Sequence, residues 1–350
     1  MRRARATPGA RPTLEDVARL AGVSVATASR VLSPGTREPK PDLRDRVLAA
    51  AGRLSYTPNA NARAIARGGT DIAGVIVADI SDPYFSEIAA GAMRVADEHG
   101  VLTTLADTRR DPRREIAYLS ALHGQRARAV ILVGSRVRDP EVNAELDREL
   151  AAYRAGGGRI AVVSQPRLDA DTIAIDNRSG ARALATGLYG LGYRRFAVLA
   201  GPRDLLTGSE RLSGFRSGLA AAGVELGRGS VVYGEFTRDG AYAAATELFA
   251  ASLRPDCVFA VNDVMAVGVM AAARDCGLNP PDGIGIAGFD DITTLRDVVP
   301  ALTTVRIPLY EIGAEAMRRV LDPSTTPGVR RVRCEVVIRA STPRRSPEAR

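Results

Sequence analysis

From Thr70 to about residue 305, short apolar runs rich in β-branched residues alternate with longer stretches of helical periodicity. The runs lie at 72–77, 101–105, 129–133, 160–163 and 172–175, and a second series follows at 196–199, 230–233, 257–261, 284–288 and 302–305. Helical stretches between them include 86–99, 113–123, 177–191, 208–222, 240–251 and 264–276. Strands this uniformly apolar need both faces covered, and helix crossovers cover both faces only in a parallel sheet. Two series therefore predict two doubly wound lobes. A doubly wound sheet leaves a crevice beyond the carboxyl ends of its strands, so a ligand site is expected there, between the lobes.

Polar residues cluster just past those strand ends. Asp79 to Phe85 (DISDPYF) follows the first strand and Asp107–Thr108 the second. Asn262–Asp263 follows the eighth, Asp290–Asp291 the ninth, and Glu210–Arg211 opens a helix after the 201–207 loop. Singly, each reads as a helix cap or a surface group. Repeated at the strand ends of both series, they favour a site. Carboxylates, an amide, an arginine and aromatic faces suit a small polyhydroxylated or heterocyclic ligand. No GxSxG, P-loop or HExxH pattern occurs, and Gly156–Gly158 precedes a strand instead of following one, so no catalytic residue, cofactor site or metal site is expected.

Ahead of this body lies TLEDVARLAGVSVATASRVL, residues 13–32. Thr13 and Asp16 have the spacing of a capping box, and Leu14, Val17, Ala18 and Ala21 share one helical face. Gly22 stops that helix, Val23 turns inward, and Ser24 can cap a second helix to about Leu32. Ala28, Val31 and Leu32 would face the first helix, leaving Val25, Ala26, Ser29 and Arg30 outward. A third helix is predicted over 42–55, packing Val47, Leu48, Ala51 and Leu54 inward, with Lys40–Pro41 a weak cap before it. Such a helix-turn-helix presents its second helix to the DNA major groove, although a plain amphipathic pair would read alike.

Charge decides between them. The chain carries 48 Lys+Arg and 40 Asp+Glu, a net of +8, and residues 1–70 alone hold 13 basic against 5 acidic residues. The remaining 280 residues are neutral, so the whole excess sits with the helix pair, as expected of a DNA-binding head. The basic start MRRARATPGARP lacks the apolar stretch of a signal peptide, and no run reaches the ~18 apolar residues of a membrane span. Cys257, Cys276 and Cys334 show no disulfide or zinc spacing, which fits a reducing cytoplasm.

Between head and body, YTPNANARAIARGGT could form barely two helical turns from Asn59 to Ala66 before Gly68–Gly69. A helix that short is unstable alone. Folding on DNA with Ile65 as an apolar minor-groove wedge, and a plain linker with an incidental Ile, are equally open on these residues.

With the head pattern, LSYTPNANARAIA, and LAGP (199–202), ERLSGF (210–215), VNDVMAVG (261–268), GFDDI (288–292) and PALTTVRIP (300–308) in order, the chain resembles the lactose-repressor (LacI/GalR) family along nearly its whole length. The resemblance implies an all-α helix-turn-helix head on an α/β, two-lobed, periplasmic-binding-protein-like body. It implies base reading by Val25, Ala26 and Arg30, phosphate contacts by Ser24, Thr27, Ser29 and Asn59, and a minor-groove hinge at Ala62 and Ile65. It implies effector binding by Arg211 and Asp290, with Asn262, Asp107, Tyr84 and Phe85 around them. Ser164–Gln165 replaces the usual acid after the fourth strand, and Ile307 replaces a common Gln, so sugar specificity does not transfer simply.

The expected organisation is a basic arm (1–11), head (12–57), hinge (58–69), body (70–340) and tail (341–350). Within the body, 70–175 with 306–321 would form one lobe, and 176–302 with 330–340 the other. The expected function is a cytoplasmic, operator-binding regulator, a repressor controlled by a small-molecule effector such as a sugar, with no cofactor and no membrane partner. Its partners would be a near-palindromic DNA duplex and a second copy of itself; no heptad helix appears that would join two dimers. The alternative is a solute-binding protein of the same two-lobed fold.

Overall fold

The computed structural model describes residues 12–32, 40–57, 70–251 and 253–345. The chain divides into two compact units, residues 1–70 and 71–350.

In the first unit, α1 (Leu14–Ala21), α2 (Val25–Leu32) and α3 (Pro41–Arg53) pack around a core of small residues: Val17, Ala18, Ala21, Ala28, Val47, Ala50 and Ala51. The capping box forms as the spacing predicts. Asp16 N donates to Thr13 Oγ1 (3.3 Å), Thr13 N donates to Asp16 Oδ2 (3.0 Å), and the side-chain bond from Thr13 lowers the Asp16 pKa. Gly22 ends α1 at φ +65°, a left-handed conformation that a β-carbon would strain. Arg46 of α3 donates to the carbonyls of Ala21 (2.6 Å) and Gly22 (3.2 Å), holding the turn between the first two helices. Ser24 Oγ accepts from Thr27 N and so caps α2, whereas Lys40 gives α3 no side-chain cap. Leu48 departs from expectation: it is 45% exposed, because Ala50 takes the inward position beside Ala51.

The second unit holds two larger sheets and a two-stranded ribbon. The strands β1 (Thr70–Val77), β2 (Leu102–Asp107), β3 (Ala127–Val133), β4 (Arg159–Val163), β5 (Asp171–Ile175) and β11 (Val329–Val332) form the first sheet in the order β11-β5-β4-β3-β1-β2. The second is β7-β6-β8-β9, from β6 (Phe196–Leu199), β7 (Val231–Val232), β8 (Cys257–Ala260) and β9 (Gly285–Ala287). The ribbon pairs β10 (Thr304–Arg306) with β12 (Glu335–Val337), antiparallel. Alternate residues of the first sheet serve opposite cores, Val75, Val77, Ile131 and Val133 on one face and Ile76, Val130, Leu132 and Val162 on the other. That two-sided burial is why the strands read as unbroken apolar runs.

The helices of the first lobe are α4 (Pro83–Glu98), α5 (Pro112–Gly124), α6 (Pro140–Ala155) and the returning α11 (Leu309–Leu321), which packs on α4. Those of the second are α7 (Asn177–Gly190), α8 (Leu206–Ala220), α9 (Arg238–Ala250) and α10 (Asp263–Asp275). Three first-lobe helices start at Asp-Pro pairs. Asp82, Asp111 and Asp139 accept from backbone N–H groups of the first turn, and the following proline occupies a position whose N–H has no helical partner.

All ten expected strands are present. Two others carry too little apolar signal to stand out: β11 (VRRV) is an edge strand with two arginines, and β12 has three residues. Their positions correct the expected lobes. Residues 329–332 pair in parallel with β5 and so extend the first sheet, not the second lobe. Nor is the chain a tail from 341. Ser341 and Thr342 are fully buried, Ser341 Oγ donates to Ile286 O (2.6 Å), and Arg345 N donates to Leu191 O (2.8 Å).

Asp263 ties the second lobe together. The first residue of α10, it is wholly buried, and its carboxylate accepts from Thr304 Oγ1 (2.6 Å) and Ile292 N (3.1 Å). Gly288 is a glycine because a β-carbon there would overlap the Asp263 carboxylate. Burial raises the Asp263 pKa to about 6, against the bonds from Thr304 and Ile292 that lower it. The folded state therefore holds this proton more tightly than the unfolded chain, and its ionisation costs stability as pH rises from about 4 to 6. Asp263→Asn should accordingly gain on the wild type by up to roughly 3 kcal/mol over that interval and no further above it. Unfolding midpoints measured between pH 4 and 8 check this; a difference independent of pH would contradict it.

Candidate nucleic-acid face and ligand cleft

On α2, Val25, Ala26, Ser29 and Arg30 are exposed, as is Ser24 before it, while Thr27 is half-buried and its hydroxyl lies 2.8 Å from Ser24 Oγ. The helix therefore shows a continuous outward face of small side chains and one long cation, with Ala28 buried behind it. Small side chains let a helix sit deep in a groove, and Arg30 supplies the forked donor that suits a guanine edge. Asn59, Ala62 and Ile65 lie outside the described residues.

In the second unit a cleft lies between the two lobes. Tyr84, Phe85, Arg211, Asn262 and Asp290 all line it, five of the six residues expected there. Asp107 does not. The last residue of β2, it turns its carboxylate to Arg109 N (3.0 Å), and the next residue, Thr108, lines the cleft instead. Ile307 is buried and also lies off the cleft wall.

Arg211 centres the second-lobe wall. It is 2% exposed; Nε donates to Asn177 Oδ1 (2.9 Å), Nη1 to Val261 O (2.7 Å), and Nη2 lies 2.8 Å from Asp290 Oδ1. The guanidinium carbon lies 3.9 Å from the centre of the Phe289 ring. Asn262 uses its amide oxygen to cap α10, accepting from Met265 N (2.8 Å). Asp290 is buried at φ +124°, outside the conformations most side chains adopt, and is held there by Asp290 N to Val305 O (2.8 Å) and Ile307 N to Asp290 O (3.1 Å). Strain of this kind costs about 1–3 kcal/mol and persists where surrounding structure enforces it, commonly at functional sites. Burial pushes the Asp290 pKa well up, and the Arg211 charge opposes it.

The first-lobe wall contains groups that the strand-end reading missed. Arg136 is buried and forms a two-point ion pair with Glu115 (2.7 and 2.8 Å), with Nε donating to Ser164 Oγ (3.2 Å). Arg110, at φ +60°, reaches Asp79 and Asp82 (3.2 Å each) and lies 5.5 Å from the ring centres of Phe85 and Phe236. Phe236 comes from the other lobe, after β7, where the same search for aromatics past strand ends would have found it. Gln165 also spans the lobes. It accepts from Arg136 N (2.9 Å) and donates to Thr207 Oγ1 (2.9 Å) and Glu210 Oε2 (3.4 Å), and Glu210 in turn accepts from Asn177 Nδ2 (3.1 Å). The result is a polar cavity of fixed donors and acceptors with aromatic faces, suited to holding a small polar molecule in one orientation.

Two family descriptions match the chain: "Bacterial regulatory proteins, lacI family" over residues 13–59, and "Periplasmic binding protein-like domain" over residues 185–342. The chain is 34% identical over 322 residues to the HTH-type transcriptional regulator CelR of Thermobifida fusca, covering 90% of this chain and 92% of that protein. It is 33% identical over 334 residues to the HTH-type transcriptional repressor CytR of Escherichia coli K12, covering 94% and 96%. Among solved structures, the CelR–cellobiose complex is similar with a TM-score of 0.68 at 30% identity, over 95% of this chain and 100% of that one. The lac repressor dimer bound to operator and the anti-inducer ONPF is similar in fold, with a TM-score of 0.81 at 23% identity over 95% and 100%.

The Arg211–Asp290 pair makes a stability prediction. Arg211→Met should destabilise the second unit by about 3–5 kcal/mol, because it leaves the Asp290 carboxylate buried without its cation. Adding Asp290→Asn should recover part of that loss, which denaturant unfolding of the two variants would measure; equal losses would show that the pair is not coupled.

Proposed function

Because the chain belongs to the LacI family of bacterial transcription regulators, we propose that it is a cytoplasmic, homodimeric repressor that binds a near-palindromic operator and responds to a small polar effector, a sugar foremost, in the interlobe cleft. The observation that carries this reading is the division of labour along the chain. All excess positive charge lies in residues 1–70 with the exposed α2 face, and the strained, buried polar groups lie in a neutral body.

In this reading Val25, Ala26 and Arg30 read base edges, and Ser24, Thr27 and Ser29 hold phosphates, joined by Asn59. Ala62 and Ile65 meet the minor groove. Two heads related by a two-fold axis read two half-sites. The edge strand β2 supports dimerisation, since it leaves Leu102 (67% exposed) and Leu105 (39% exposed) beside unpaired backbone. Arg211 and Asp290 grip the effector with Asn262, Tyr84 and Phe85, and lobe closure alters DNA affinity by a coupling of about 1–3 kcal/mol. CelR has a structure with cellobiose, which makes cellobiose and related sugars the first compounds to try.

Two variants test the two ends. Operator sequences selected from a random DNA pool give the reference affinity. Arg30→Ala should then weaken operator binding by about 1–3 kcal/mol and relax preference at one base pair. Equal loss on operator and random DNA would make Arg30 a phosphate contact instead. Asp290→Asn should bind operator yet lose the response to effector; a retained response would remove Asp290 from the effector site.

A further inference from the structure

Among the described residues, two buried side-chain polar atoms have no hydrogen-bond partner in the protein: Arg110 Nε and Asp290 Oδ1. Asp290 Oδ1 lies near the Arg211 guanidinium, but not in line for a hydrogen bond. One atom is a donor and the other an acceptor. Both belong to residues that line the same cleft, one on each lobe, and both residues have positive φ, +60° and +124°. Buried polar atoms in folded proteins are almost always paired, so an unbonded donor and an acceptor met only by an ion pair, on two residues lining one cavity, mark positions where a ligand completes the bonding.

We propose that Arg110 is an effector-binding residue that determines specificity, its Nε–H donating to an acceptor oxygen of the ligand while a ligand O–H or N–H donates to Asp290, so that one molecule bridges the two lobes. This rests on the reading of the cleft as an effector site. Arg110 is held in place before any ligand arrives: Phe85 and Phe236 flank it, and Asp79 and Asp82 hold Nη2. A donor fixed in this way loses little freedom on binding.

The charges of the walls select the ligand class. Arg110 is matched by Asp79 and Asp82, Arg136 by Glu115, and Arg211 by Asp290. Asp111 adds a further carboxylate as the cap of α5. Among the described lining residues no positive charge is left over for an anion. The ligand is therefore neutral and carries both hydroxyl or amide donors and acceptor oxygens, as a sugar or a nucleoside does, not a sugar acid or a phosphate ester.

The test is calorimetric titration and thermal shift of the full chain with neutral compounds (glucose, cellobiose, cytidine, adenosine) and their charged counterparts (glucuronate, cytidine and adenosine monophosphates). A neutral compound should bind, with the sugar and nucleoside arms separating the two sources. Arg110→Lys keeps a cation facing Asp79 and Asp82 but has no donor at the Nε position, and it should weaken that compound at least tenfold. The unfolding midpoint without ligand separates a lost donor from a collapsed cleft. Deoxy analogues sharpen the assignment on the unaltered chain: removing the oxygen that faces Arg110 should cost tenfold in the wild type and almost nothing in Arg110→Lys. Unchanged affinity in Arg110→Lys, or binding of the charged compounds alone, overturns the inference while leaving the effector reading standing. Failure of any compound to bind a chain that binds its operator overturns the effector reading itself, and this inference with it.

Discussion

The buried contact between Arg211 and Asp290 is the constraint around which the body is arranged. An arginine at 2% exposure costs several kcal/mol in lost hydration unless its donors are bonded and its charge is paired, and each neighbouring element contributes to one or the other. The start of α7 brings Asn177, the end of β8 brings the Val261 carbonyl, and the end of β9 brings Asp290. These positions lie past strand carboxyl ends, where a parallel sheet leaves room for polar groups. Asp290 reaches Arg211 only with φ at +124°, a strain enforced by its backbone bonds to Val305 and Ile307. Such a site gives up stability for a fixed geometry, which a binding site requires.

From Arg211 a continuous polar chain crosses between the lobes. Asn177 joins Arg211 to Glu210, Glu210 joins Gln165, and Gln165 joins the backbone of Arg136. Other bonds run alongside, including Thr207 N to Ser135 Oγ (3.0 Å) and Arg138 N to Asp204 O (3.0 Å). The lobes are thus held together by hydrogen bonds and not by an apolar seam alone. Such contacts are individually modest and reversible, so a ligand bridging the same walls can shift the balance between open and closed forms. In the proposed function that shift is the signal passed to the head.

Much of this was legible in the sequence, for identifiable reasons. The central strands β1, β3, β4, β6 and β8 announced themselves because both their faces are buried, and the helix pair because its caps, Thr13, Gly22 and Ser24, carry distinct chemistry. Strand β11 was hidden because an edge strand does not need apolar residues on both faces, and two of its four are arginines. The second-lobe wall was legible because Arg211, Asn262 and Asp290 sit directly at strand and helix boundaries. On the first-lobe wall, Arg136 and Glu115 are 21 positions apart and each reads alone as a surface charge; only the fold reveals them as a buried pair. Arg110 was obscured in the same way, by a run of arginines at 109, 110, 113 and 114 with nothing local to single it out. Asp107 illustrates the one-residue uncertainty at a strand end, where the residue facing the cleft is its neighbour Thr108.

The central claim is that the DNA face and the cleft are two ends of one equilibrium, and linkage makes it directly measurable. The decisive measurement is the affinity of the full chain for its selected operator, by fluorescence anisotropy, without and with a saturating cleft ligand, paired with the ligand affinity measured without and with operator. The account predicts that the ligand changes operator affinity by about 5- to 150-fold and that operator changes ligand affinity by the same factor. An operator affinity that stays constant while the cleft is saturated would contradict it.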